Sequence, residues 1–356
     1  MISRSGPRLF LVDGYALVYR AFHAVGNRPL STSRGENTSI PWGIANFLER
    51  LRKTHGPTHL GWVHDAGMSE RDVKFPAYKA TRTPLEPQQQ ADFDRGVERV
   101  AQVLAAQRIP LLELAGYEAD DVIATLARQS PTHDMDVVIV SPDKDLLQLI
   151  RPGVRVLNPY HGKPGATTEK WYDESNVAER LGVPTSQVCD YLALVGDQAD
   201  NIPGVKGIGE KGARDLLARW GTLEAMLTHL EEVVPPRARN ALREHIADAR
   251  LSKELVTVRE DLPIALDLAS LKVREPDVPA LRALYVELEF TALARGLARV
   301  LGDPVAEVRG PESPRNYRVV DTVAAMADLV ARVRACGQCA FDTETELEVG
   351  APSAVT

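Results

Sequence analysis

One stretch, Gly196 to Arg214, reading GDQADNIPGVKGIGEKGAR, limits what this chain can become more than any other. Asp197 and Asp200 stand three residues apart, so at the end of a helix they project from one face. Gly204, Gly207, Gly209 and Gly212 then surround Lys206 and Lys211. Glycine permits a tight turn with bare N–H groups, and bare N–H groups beside lysines suit a phosphate backbone. An Asp pair alone is commonly a solvated helix end, and a lone G-x-G is commonly a turn. Joined in this order through Asn201-Ile202-Pro203-Gly204, the two halves place metal-type carboxylates next to a clamp for duplex nucleic acid.

The rest of the chain must present that stretch. Apolar runs at Arg8 to Val12, His59 to His64, Leu111 to Leu114, Val137 to Val140 and Val154 to Leu157 read as strands. Between them, helices are expected over Tyr15 to Ala24, Pro41 to His55, Gln88 to Gln107, Glu118 to Arg128 and Lys144 to Ile150. In the long helix Phe93, Val97, Val100, Val103 and Leu104 recur at helical spacing. Arg71 to Pro87 is basic, proline-bearing and irregular. Strands alternating with helices argue a parallel sheet covered on both faces. From Ser175 to about Arg250 the chain reads as nearly all helix, and Leu281 to Leu293 as one more.

Gly302 to Asn316 is polar and rich in Pro and Gly, a linker. A strand (Tyr317 to Val320), a helix (Val323 to Arg334) and a strand (Ala340 to Thr343) follow, too little to close a sheet core. The 356 residues predict two or three domains. We expect a core over 1–173, a helical section over 174–300, a linker over 301–316 and the start of a further domain over 317–356.

Net charge is −7, which disfavours a protein coated in basic surface but not a nuclease, because a carboxylate-rich metal site subtracts charge locally. The N-terminal apolar run, Leu9 to Val12, is too short for a secretion signal, and no stretch reaches membrane-spanning length. A cytoplasmic protein is expected. Of three cysteines, Cys336 and Cys339 form a C-x-x-C with no second pair or histidine at zinc spacing, so they read as incidental thiols.

Acidic residues gather at strand ends and first helical turns: Asp13, Asp65, Glu118, Asp120, Asp121, Asp143, Asp145, Asp197 and Asp200. In a parallel sheet the strand C-termini open onto one edge, where ligands bind. Carboxylates crowded there repel by about 4 kcal/mol per pair at ~4 Å and an effective dielectric of ~20. Divalent metal is the natural counter-charge. All-oxygen ligands select Mg2+ or Mn2+ over zinc, and two such ions are a standard device for phosphodiester cleavage. Arg71, Lys74, Tyr78, Lys79 and Arg82 follow Asp65. A Lys or Arg there can offset charge on a scissile phosphate, and Tyr78 can stack on an unpaired base.

The order DGYALVYRAF, HDA, YKATR, GYEADDVIATLA, SPDKDLLQL and GDQADNIPGVKGIGEKGA resembles the 5′-nuclease domain of bacterial DNA polymerase I, in the flap-endonuclease superfamily, over about residues 8 to 300. The resemblance implies a PIN-like three-layer α/β core with a mostly parallel sheet, a helical arch, and an all-helical section carrying a helix–hairpin–helix. It implies that the nine acids are metal ligands, direct or through water. It implies that Lys79 and Arg82 act on the 5′ strand from the arch. Arg20, Tyr78, Gly204, Lys206, Gly207, Gly209 and Lys211 would contact DNA, with K+ held by the hairpin. The implied activity is a two-metal 5′→3′ exonuclease and flap endonuclease acting on DNA with a 5′ flap, nick or 5′ end, or on RNA primer, as a monomer that a polymerase can follow. His64 departs from the family's usual Phe, and Thr83 to Gln90 from its usual arch. AFDTET (340–345) resembles the first motif of the 3′–5′ exonuclease domain, with Asp342 and Glu344 as its metal pair. Two other readings share these motifs: a DNA-junction binding module without turnover, and a PIN-type ribonuclease.

Overall fold

The computed structural model describes residues 6–24, 29–130, 134–161, 168–301 and 319–336. The chain divides into two compact units, residues 1–305 and 306–356. In the first, β1 (Arg8–Asp13) runs straight into α1 (Gly14–Ala24), followed by α2 (Ser39–His55), β2 (His59–Val63), α3 (Glu70–Lys74), α4 (Pro87–Ala106) and β3 (Leu111–Leu112). Then come α5 (Ala119–Gln129), β4 (Asp136–Val140), a 3-10 turn at Asp145–Leu149, β5 (Val154–His161) and β6 (Thr168–Tyr172). The sheet order is β3-β2-β1-β4-β5-β6. All pairings are parallel except β5 with β6.

Alternation along the strands builds the three layers. Leu9 and Leu11 of β1, with Val137 and Ile139 of β4, face a core shared with Val122 and Leu126 of α5. Phe10, Val12, Val138 and Val140 face the other way, onto Leu17, Ile44, Leu48, Val100 and Leu104 from α1, α2 and α4. Nearly every residue of α5 from Ala119 to Ala127 is buried. A helix covered on all sides must sit between two layers. Here the layers are the sheet and the helical section, whose Leu192, Leu217, Leu242 and Leu255 belong to the same core.

That section comprises α6 (Ala178–Leu181), α7 (Val188–Val195), α8 (Glu210–Trp220), α9 (Leu223–Thr228), α10 (Pro236–Glu244), α11 (Ile246–Val256) and α12 (Leu268–Leu271). The chain then returns to the α4 side with α13 (Val278–Glu287) and α14 (Thr291–Leu301). The second unit's described part is α15 (Val323–Cys336).

Five local expectations change. The single helix over Leu281 to Leu293 is two, parted at Glu289, whose φ of 60° no α-helix continues through. Lys144 to Ile150 is a tighter 3-10 turn. The segment expected to be irregular after Asp65 contains α3, held by Ser69, whose side chain and Asp72 cap each other reciprocally. The antiparallel β6 was not expected at all. Of the expected strand Tyr317 to Val320, Val319 and Val320 carry no strand. Tyr317, Cys339, Asp342 and Glu344 lie outside the described residues.

Candidate active site

β1 and β4 are neighbours, yet the chain leaves them toward opposite sides of the sheet. Such a switch point opens a crevice at the strand C-termini. Asp13 is the last residue of β1, and Ser141 follows β4. The Ser141 hydroxyl donates to Asp13 Oδ2 at 2.6 Å and accepts the Asp143 N–H at 3.0 Å. Asp143 Oδ1 in turn accepts the Asp145 N–H at 2.9 Å. From β2, Asp65 Oδ1 accepts the first N–H of α5, from Ala119, at 2.7 Å. Asp65 is therefore a helix cap as well as a cleft residue.

Asp13, Asp65, Glu118, Asp120, Asp143, Asp145 and Asp200 all line one cleft of about 840 Å3, together with Tyr15, Tyr19, Lys79 and Arg82. Seven of the nine expected acids thus share one opening. Burial raises the Asp13 carboxyl to about 7, and neighbouring Asp143 and Asp65 add to this against the Ser141 hydrogen bond. Burial and then Asp143 likewise raise Asp145 to about 7. Asp120 is raised well above the ordinary range by burial, then by Asp13 and Asp143. Asp145 Oδ1 is buried, with the Lys144 ammonium 3.3 Å away.

Basic side chains take up part of this charge. Lys79 Nζ lies 3.0 Å from Glu118 Oε1. Arg82 Nη2 lies 2.6 Å from Asp200 Oδ1. Lys144 Nζ is 3.3 Å from Asp145 Oδ1 and bonded to Asp197 Oδ2. Among the described residues no three acidic, histidine or cysteine side chains enclose an ion as they stand. The donors are nevertheless all oxygen and mutually repelling. That donor chemistry fits a hard divalent cation.

Several expected contacts are corrected. Asp121 does not line the cleft. It is 2% exposed, both its oxygens are bonded to Arg71 at 2.5 and 2.8 Å, and Oδ1 also accepts the Arg259 N–H. One residue further along a helix rotates the side chain by about 100°, so Asp120 faces the cleft and Asp121 the layer behind. Asp197 and Asp200 are not on a helix, because α7 ends at Val195. They belong to the turn beyond it, where Asp197 Oδ1 accepts the Ala199 N–H. Tyr78 is 7% exposed and its hydroxyl donates to Glu118 Oε2, so its ring offers no free stacking face. Gly204 is buried and its N–H donates to Ser252 Oγ at 2.9 Å, not to a ligand. Arg20 lies over the Tyr160 ring at 4.4 Å, outside the cleft lining. Arg214 is spent on Glu210 and the Leu181 carbonyl.

Of the hairpin residues expected to meet DNA, Lys206, Gly207, Gly209 and Lys211 are exposed. The hairpin's shape requires glycine at Gly196 and Gly204, with φ of 74° and 63°. A Cβ on Gly204 would stand 2.6 Å from Gly196 N. Residue order alone did not single out Ser141 or Lys144. The only signal was a polar residue directly after an apolar strand, and a lysine between two acids. A second pocket of about 500 Å3 lies on the far side of the Arg71 to Asp121 pair. Its lining cations, Lys74, Arg250, Lys253 and Arg259, are each ion-paired.

Residues 8–182 match the 5′-3′ exonuclease N-terminal resolvase-like domain, and residues 183–279 match the 5′-3′ exonuclease C-terminal SAM fold. The chain belongs to the 5′-3′ exonuclease family. DNA polymerase I of Chloroflexus aurantiacus is 38% identical over 95% of this chain and 38% of its own length. The thermostable DNA polymerase I of Thermus thermophilus is 42% identical over 80% of this chain and 32% of its own. The chain therefore spans about a third of the length of these relatives. The same fold occurs in the T5 5′-exonuclease solved with zinc (TM-score 0.59, 22% identity, 82% of this chain and 99% of that one). It also occurs in the catalytic core of Rad2 with a DNA substrate (TM-score 0.56, 16% identity, 84% and 94%).

Proposed function

We propose that this chain is a metal-dependent 5′→3′ exonuclease and flap endonuclease. It hydrolyses phosphodiester bonds near the junction of a 5′ single strand with duplex DNA, or of RNA primer with DNA. The observation that carries the reading is the convergence of seven acids on one cleft whose rim holds Lys79 and Arg82. Family membership, and relatives that are DNA polymerase I, support it. Asp13, Asp65, Glu118, Asp120, Asp143 and Asp145, with Asp197 and Asp200 from the hairpin base, would hold two Mg2+ or Mn2+ ions. Asp121 is left out because Arg71 occupies it. Bound there, the ions supply counter-charge, a nucleophilic water and support for the leaving oxygen.

The chain's own residues do the rest. Ser141 fixes the Asp13 carboxylate, and Asp65 locks its own by capping α5. Lys79 and Arg82, pinned to Glu118 and Asp200, present positive charge where a phosphate enters. Exposed Lys206 and Lys211 with the Gly207 and Gly209 N–H groups grip the duplex backbone, and the hairpin carbonyls would hold K+. The chain would act as a monomer in the cytoplasm, with a polymerase joined to it. No described helix is long and apolar enough to cross a membrane.

A labelled 5′-flap duplex incubated with and without Mg2+ tests this. Cleavage only with the ion is expected. Binding without cleavage would favour a junction-binding module, and cutting of single-stranded RNA in preference to the flap would favour a PIN-type ribonuclease.

A further inference from the structure

The two halves of the cleft are neutralised differently. Asp13 has a serine hydroxyl and the Ala16 N–H as partners, and no cationic side chain bonds it or Asp120 among the described residues. Beside Asp145 of the lining, Lys144 bridges that carboxylate to Asp197, which lies 52 residues on and does not itself line the cleft. Asp145 opens the 3-10 turn beyond β4, and Asp197 opens the hairpin base after α7. The hairpin turn itself uses Asp197 Oδ1, which accepts from Ala199 and Asp200. The ammonium holds the other oxygen, Oδ2. The facing oxygen, Asp145 Oδ1, is buried and lies 3.3 Å from the same ammonium.

We infer that the Lys144 ammonium sits where one of the two divalent cations must bind, and that loading this site requires its expulsion. The inference rests on the metal reading above. Lys144 is an unbranched chain of four methylenes that can swing outward, whereas a planar guanidinium would be fixed by its fork. The Asp13 and Asp120 half loads without a competitor and therefore first. The Asp145 and Asp197 half loads second, and Lys144 sets how much weaker it is.

Mn2+ titration of the whole chain without nucleic acid, followed by the paramagnetic resonance of free Mn2+, tests this. Wild type should bind at two resolved affinities. Lys144→Met should tighten the weaker one about tenfold, as loss of a unit charge in direct contact predicts, and leave the tighter one unchanged. Unchanged affinities, or an equal shift of both, would overturn the seat. Wild type that binds no Mn2+ would sink the metal reading itself, a different failure. The unmutated protein gives a second readout. Acylation of the Lys144 amine, followed by peptide mass spectrometry, should rise several-fold on adding Mg2+ as the flexible side chain swings out of the acids into solvent. Labelling that stays constant or falls would refute the expulsion.

Discussion

A single step along α5 separates two roles. Glu118 and Asp120 face the cleft, while Asp121 is a buried partner of Arg71, a side chain that also bonds the Leu255 and Thr257 carbonyls. Removing one member of a buried ion pair costs about 3–5 kcal/mol. Asp121→Asn should therefore destabilise the fold by about 3 kcal/mol in urea unfolding. Asp145→Asn should leave stability intact, because it removes repulsion, yet abolish cleavage while junction DNA still binds. A fully stable Asp121→Asn that cannot cut would return Asp121 to the metal site. Lys79→Ala should slow cutting more than it weakens binding, since Lys79 pairs with a cleft acid; equal losses would make it an affinity contact only. His64, the departure from the family's Phe, accepts the Trp62 indole N–H at 2.7 Å. Burial lowers it to about 4 from 6.5, against Asp65. The unfolded chain binds the proton first, so this term is lost as pH falls from 6.5 to about 4, by up to about 3 kcal/mol. His64→Gln keeps an acceptor without the titration. Wild type and variant should then diverge in unfolding free energy across that window.

Among the elements, the hairpin was the most legible in residue order and the acids' exact faces the least. Its glycines, lysines and proline fall within one short stretch, Pro203 to Gly212, and the turn they make is local. Lys206→Ala and Lys211→Ala should each weaken binding to every duplex sequence and reduce the slope of log affinity against log salt by about one. An unchanged slope would remove the hairpin from the footprint. Gly204, in contrast, looked like a phosphate contact and is a packing residue. Only the fold brings Ser252 of α11 against its N–H. The strand β6 escaped for a related reason. Its residues TEKWY alternate weakly, and an edge strand takes its stability from β5 across the sheet rather than from its own pattern. Helix α13 ends where Glu289 leaves helical geometry to accept from Ser33, a partner 256 residues away.

For the whole molecule, the cleft stores electrostatic strain that protons or metal can relieve. Asp13 and Asp145 have folded values of about 7 against 3.8 unfolded. Their contribution to stability is full below 3.8 and lost as pH rises through about 7. This runs opposite to the His64 term. A divalent cation competes with those protons. Mg2+ should therefore raise the melting temperature more at pH 8 than at pH 5, and flatten the pH dependence that remains in metal-free protein. A Mg2+ effect equal at both pH values would mean that the ion does not bind these carboxylates.

The alternation of strand and helix, the strand-end acids and the glycine hairpin follow from residue order, because each depends on neighbours within a few positions. Which acid faces the cleft, which basic side chain neutralises it and which glycine N–H is already taken were decided by packing between segments far apart in the chain. Charge and hydrogen-bond partners act through space, and only the closed three-layer core with its helical section says who stands next to whom.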